Sequence, residues 1–305
     1  MADSISVRVP ATSANLGCLF DCGALALSLY VDVRATARPD RDFSVKYSGE
    51  TAERVSTGKD NLMVRTIRET LALWGLARGF DLEIQNQIPV AVGLGSSAAA
   101  IVAGISVGRW LADHTLLDEE IIALADEREG HPDNVAAAWE GGFTLAVRAG
   151  ERVIACSCPV PDSLQFALIV PDYALPTEKA RAALPESYSR VDAVHNLQRA
   201  ATVVAQLFSR RAALTQAMFD DRWHQPYRAS LMPGLSEALR FSAPDVLGVC
   251  LSGAGPSILA LVRGSALPVG QAIQEILARH DVQSRTFALA ADNRGAKGWS
   301  QPCCG

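Results

Sequence analysis

The run Pro89-Val-Ala-Val-Gly-Leu-Gly-Ser-Ser-Ala98 constrains this 305-residue chain more than any other segment. It is a glycine- and serine-rich loop leading straight into an apolar, small-residue stretch, Ala98 to Leu111, that predicts a buried helix. Gly93 and Gly95 have access to backbone angles closed to other residues, so successive N–H groups can converge on one point. The start of the helix adds unpaired N–H groups and the positive end of its dipole. A corner of this kind binds phosphate. Ser96 and Ser97 bring hydroxyls to the same place, where one can reach a magnesium ion. The loop is not a Walker A motif, because no lysine follows Gly95, and it is not the dinucleotide-binding GxGxxG. Taken alone, the segment also fits a serine N-cap on an ordinary core helix.

Length and composition narrow the setting. A chain of 305 residues, 49% apolar and 20% charged, suits two moderate domains sharing a cleft. Its longest apolar stretches are too short and too interrupted by glycine to span a bilayer. Met1-Ala-Asp-Ser-Ile-Ser lacks a basic region followed by an apolar core, so a cytoplasmic protein without membrane partners is expected. A net charge of -5 with interleaved signs offers no basic stripe for nucleic acid. The seven cysteines are irregularly spaced, with no CxxC pair, which argues against both a disulfide framework and zinc. The Cys303-Cys304 end reads as a disordered tail.

Periodicity gives a coarse map. Residues 5–9, 25–37 and 80–85 read as strands, with 30–36 alternating clearly, and 246–251, 258–262 and 284–290 are further strand candidates. Residues 61–76, 117–129, 191–208, 211–219 and 269–279 read as helices. Two prolines within Pro159–Asp162 mark the best boundary, dividing the chain into 1–160 and 161–305. Strands and helices mix without regular repetition, which predicts an α+β class.

Three more segments change the weight of the serine loop. They are Val9-Pro-Ala-Thr-Ser-Ala-Asn-Leu-Gly17 with Phe20-Asp21, Glu127-Arg-Glu-Gly-His-Pro-Asp-Asn-Val135, and Leu251-Ser-Gly-Ala-Gly-Pro-Ser257. Together, in this order and over about residues 5 to 295, they resemble the GHMP kinases. The first two look specifically like those of homoserine kinases. The resemblance implies an N-terminal domain like ribosomal protein S5 domain 2, a ferredoxin-like C-terminal domain, and a site between them. It also implies ATP as co-substrate with Mg2+, L-homoserine as acceptor, and direct in-line transfer in a step towards threonine. A homodimer is common among such kinases; the sequence leaves the oligomeric state open.

Site residues follow from the same resemblance. Pro89, Val90, Ala91, Val92, Gly93, Leu94, Gly95, Ser96, Ser97, Ala98 and Ala99, with Gly253 and Gly255 from the later loop, are expected to hold ATP. Ser97 and a glutamate are expected on magnesium; Glu127 and Glu129 compete, and Glu127 is preferred. Homoserine carries an ammonium, a carboxylate and a hydroxyl. Asn15, Asp21 and Asn134 offer oxygens for the ammonium, and Arg181 and Arg228 offer planar donors for the carboxylate, with Thr177 and His131 nearby. Asn134, Arg181 and Ser97 are the expected catalytic residues, and no general base stands out. One departure concerns the acceptor: homoserine kinases commonly read Asn-Leu-Gly-Pro-Gly-Phe-Asp where this chain has Asn15-Leu-Gly-Cys-Leu-Phe-Asp21. A turn demanding positive φ at Leu19 would be strained there. Another small alcohol (L-threonine, shikimate or an isoprenoid precursor) and a non-catalytic sensor of the same fold are the rival readings.

Overall fold

The computed structural model describes residues 3–211, 213–299 and 301–302, the last three of these by backbone only. The Cys303-Cys304 tail lies outside the described residues. The chain opens on a hairpin of two long strands, β1 (Ser4–Asn15) and β2 (Leu19–Arg38). Ile5, Val7 and Val9 point inward at every second position, as the period of a strand requires. β2 then pairs antiparallel with β4 (Gly79–Asn86), and β3 (Phe43–Gly49) pairs parallel with β4. The other half of β2 pairs with β5 (Phe143–Ala149), which turns back into β6 (Arg152–Cys158).

Four helices cover one face of this sheet: α1 (Leu62–Ala72), α2 (Ser96–Ala112), α3 (Asp118–Glu129) and α4 (Pro132–Glu140). The Asn61 side chain caps α1 by accepting from the N–H groups of Met63 and Val64. α2 is buried nearly all round, which is why its sequence shows almost no polar face. Gly104 and Gly108, one turn apart, let it sit directly against Thr66 and Thr70 of α1.

A second, four-stranded antiparallel sheet runs in the order β10-β7-β9-β8. Its strands are β7 (Leu164–Pro171), β8 (Val246–Leu251), β9 (Ile258–Arg263) and β10 (Ser284–Leu289). Between β7 and β8 come α5 (Thr177–Ala182), α6 (Arg190–Phe208) and two one-turn helices, α7 (Gln225–Arg228) and α8 (Leu235–Ala238). α9 (Ala266–Ala278) packs on the sheet. The helix expected over 211–219 is a single 3₁₀ turn, Gln216–Phe219, with Leu214 and Phe219 as the segment's buried residues among those described.

Residues 291–302, which the sequence reading assigned to the second unit, instead return to the first sheet. Ala291 bridges to Leu27, Asp292 exchanges backbone hydrogen bonds with Ala26 and Gly142, and β11 (Gln301–Pro302) pairs with β1. α10 (Gly295–Trp299) lies between them, with Ala296 fully buried. No helix among the described residues is long and apolar enough to cross a membrane.

Candidate active site

The glycine–serine loop lies between the two sheets, its backbone held by hydrogen bonds from both sides. Ala91, Gly93 and Gly95 take φ of 61°, 82° and 62°, and Gly95 caps the N-terminus of α2. From the first sheet, the Thr12 N–H donates to the Leu94 carbonyl at 3.1 Å. From the second, the Ser252 hydroxyl donates to the Gly93 carbonyl at 2.7 Å, and the Ser257 N–H to the Val92 carbonyl at 3.2 Å. The Gly253 N–H donates to the Ala14 carbonyl at 3.0 Å, so the first and last glycine loops also touch. A Cβ on Gly93 would meet the Ser252 carbonyl oxygen, and one on Gly95 the Thr12 hydroxyl. The close approach explains both glycines.

Below the loop is a cavity of about 280 Å³. Val90, Ala91, Gly93, Leu94, Gly95, Ser96 and Ser97 line it from the loop, and Gly253 and Ala254 from the opposite side. Pro89, Val92, Ala98, Ala99 and Gly255, also expected on ATP, are not among the residues that line this cavity. Pro89, Val92, Ala98 and Ala99 are buried in the protein, and Gly255 faces Met232 rather than the cavity. They shape the loop from behind.

Of the two competing glutamates, the structure brings Glu129 rather than the preferred Glu127 to the loop. Ser97 Oγ donates to Glu129 Oε1 at 2.6 Å, and Glu129 lines the cavity, whereas Glu127 is exposed. Two positions apart on a helix means roughly 200° of rotation, so α3 can aim only one of the pair at the loop. Burial raises the Glu129 carboxyl above its usual range, against the lowering effect of the Ser97 hydrogen bond.

Opposite the loop stand Asn15, Asp21, His131, Asn134, Thr177, Arg181 and Arg228, all on the cavity wall. The Asp21 carboxylate accepts from both terminal nitrogens of Arg181, at 2.7 and 2.9 Å, while the buried Arg181 Nε has no hydrogen-bond partner. The Asn15 side chain accepts from the Asp21 N–H and donates to the Gly253 carbonyl. Asn134 accepts from the Thr12 hydroxyl at 2.7 Å and donates to Asp133. Asp133 is buried, and burial pushes its pKa up to about 6. Burial and Arg181 hold His131 below the usual imidazole value. Burial, then Arg181, draws Arg228 down to about 10, still a cation at neutral pH.

The turn that carries Asn15 and Asp21 does not strain Leu19. Positive φ falls on Asn15, Leu16, Gly17 and Asp21, while Leu19 begins β2 and is buried. Cys18 is buried too, its thiol donating to the Met218 carbonyl at 3.2 Å.

Sequence reasoning missed a second cavity of about 220 Å³ that shares Val90, Ser96 and Ser97 with the first. Its other walls include Tyr47, Val55, Leu62 and Met63, with Ser56, Asp60, Asn61 and Asn86 as polar groups. These are ordinary core and capping residues in the sequence, and only the fold brings them together.

The comparisons with known proteins agree with this geometry. A family model described as the GHMP kinases N terminal domain matches residues 61–142, and one described as GHMP kinases C terminal matches residues 200–279. The chain is 42% identical to a homoserine kinase of Desulfitobacterium hafniense, over 96% of this chain and 99% of that protein. It is 40% identical to a homoserine kinase of Solibacter usitatus, over 95% of each. The crystal structure of a homoserine kinase from Cytophaga hutchinsonii superposes with a TM-score of 0.86 at 29% identity, covering 97% of both chains. With the glycine loops, the Ser97–Glu129 pair and the two-sheet fold in place, the chain belongs to the homoserine kinase family of GHMP kinases.

Proposed function

We propose that the protein transfers the terminal phosphoryl group of ATP to the hydroxyl of L-homoserine, giving O-phospho-L-homoserine. One observation carries this reading: a single cavity holds a phosphate-type loop on one wall and the Asp21–Arg181 ion pair on the other. An amino acid matches that pair, ammonium to Asp21 and carboxylate to Arg181 and Arg228. Phosphate-bearing or sugar alcohols bring no ammonium to replace Arg181 on Asp21.

In the reaction the acceptor oxygen bonds to phosphorus as the bond to the departing ADP oxygen breaks, and the hydroxyl proton passes to a phosphate oxygen or to water. The protein's work is positioning and charge neutralisation. N–H groups of Gly93 to Ser97 hold the phosphates, and the second cavity suits the nucleoside. Asn134, fixed by Thr12 and Asp133, orients the acceptor hydroxyl. Ser97 and Glu129 fit magnesium, a hard cation that needs few protein oxygens when phosphates and waters complete its shell. Bound there, it would neutralise phosphate charge. We place the domain boundary near residue 160, between β6 and β7, with residues 291–302 belonging to the first unit.

The test is ADP release with magnesium and ATP against homoserine, threonine, shikimate, mevalonate and galactose, with Ser97→Ala as control. Turnover dominated by homoserine and lost in the control is expected. Turnover dominated by another alcohol would overturn the acceptor, and ATP binding without turnover on any of them would favour the sensor.

A further inference from the structure

Behind the cavity wall lies a fully buried imidazole, His224, at the start of α7. Its Nε2 is 2.7 Å from the Gly17 carbonyl oxygen and its Nδ1 is 3.1 Å from Nη1 of Arg228. These two partners fix the proton. A carbonyl only accepts and a guanidinium only donates, so both contacts are satisfied only by the neutral ring with its proton on Nε2. Burial, the largest influence on this ring, favours the neutral form, and the nearby Arg228 acts in the same direction. Asp221, which opposes it, is occupied by the N–H groups of Trp223, His224 and Gln225 and by the Asn196 amide.

The ring therefore joins two segments far apart in sequence. Gly17 belongs to the left-handed turn that sets Asn15 and Asp21, and Arg228 is one of the cavity's two arginines. Arg228 also donates from Nη1 to the Gly253 carbonyl and from Nε to the Ala180 carbonyl. Nε and Nη1 are thus taken, and Nη2 is the nitrogen left without a hydrogen bond among the described residues. Phe20 packs against all three groups: its ring stacks on His224 at 5.3 Å and lies 5.7 and 5.5 Å from the guanidinium carbons of Arg181 and Arg228.

We propose that His224 is a positioning residue for the amino-acid end of the substrate, holding Arg228 with Nη2 towards the cavity by accepting from Nη1. This rests on the function proposed above, which places the substrate carboxylate at the arginines. Phosphate handling should change less, because among the described residues His224 makes no direct contact with the glycine–serine loop and reaches the Gly253 carbonyl only through Arg228.

The test compares the intact enzyme with His224→Phe and His224→Asn. Phenylalanine keeps the stacking volume and loses both hydrogen bonds. Asparagine can place an acceptor near the Nδ1 position and restore the contact to Arg228. His224→Phe should raise KM for homoserine about tenfold or more, with KM for ATP within about twofold. His224→Asn should recover most of that loss. Equal rises in both KM values, or no difference between the two variants, would reduce His224 to a packing residue. Nitrogen NMR of the ring reads the link without turnover. The wild type should carry its proton on Nε2, and Arg228→Met should shift Nδ1. A ring protonated on Nδ1, or one indifferent to Arg228→Met, overturns the link whatever the substrate is. Wild-type inertness towards homoserine, with the expected ring spectrum, would overturn the acceptor assignment and leave the His224–Arg228 link standing.

Discussion

Ser97 and Glu129 meet at 2.6 Å across two helices that share no sequence neighbourhood, the first residues of α2 and the last of α3. The pair joins a hydroxyl at a helix N-terminus to a carboxyl whose burial resists ionisation. A divalent cation between them would replace a shared proton with a stronger charge.

Glu129→Gln should therefore lower kcat by about a hundredfold or more and weaken the dependence on magnesium. Glu127→Gln should stay within about twofold of wild type. A magnesium titration of both variants checks this. Because the Glu129 pKa lies above the usual carboxylate range, magnesium affinity should also begin to fall at a higher pH than for an exposed glutamate.

Arg181 and Asp21 pair with each other where a zwitterion is proposed to bind. Substrate entry then exchanges one ion pair for two, and removing either side leaves a charge unmatched. Asp21→Asn should raise KM for homoserine roughly fiftyfold while leaving KM for ATP near wild type. A hydroxy acid lacking the ammonium should be a poor acceptor for the wild type. Steady-state kinetics with both acceptors decide the matter.

Asp133 gives a pH-dependent stability. Its folded pKa of about 6 stands above the unfolded value of 3.8, mainly because it is buried. The folded state therefore holds the proton more tightly. The favourable contribution is complete below about pH 4 and is lost as pH rises through about 6. Asp133→Asn, neutral at every pH, should be more stable than wild type near pH 8 by up to roughly 3 kcal/mol. That advantage should vanish near pH 4, the lower edge of the window. Denaturant unfolding at the two pH values measures the difference.

Gly93→Ala tests the seam between the sheets. At φ 82° an alanine is strained, and its Cβ would strike the Ser252 carbonyl. A loss of roughly 2–4 kcal/mol is expected, visible as a lower Tm and weaker ATP binding.

The legible part of the site was the part written in loop chemistry. Gly93, Gly95, Ser97, Asn15, Asp21, Asn134 and both arginines come together as their motifs suggested, because glycines, serines and charged groups leave a local signature. Which glutamate reaches Ser97 was not legible, for a geometric reason: residues two apart on a helix are equivalent in sequence and opposed in space. The second cavity was invisible because Tyr47, Val55 and Met63 look like any core residues until β3, β4 and α1 are assembled. His224 was missed because a buried histidine has no sequence mark separating it from an exposed one. The strands at 5–9 and 30–36 were legible from alternation. The start of β2 at Leu19, six residues before the strand expected from 25, was not, since this part lacks the alternation of a half-buried strand.

The return of residues 291–302 to the first sheet has a consequence for how the protein is made. Leu27 waits for Ala291, and Ala26 and Gly142 wait for Asp292, until the whole second sheet has been synthesised. The nascent N-terminal half leaves the ribosome with that place still open. Shortening the chain at residue 290 would remove no strand of the second sheet, yet it would injure the first.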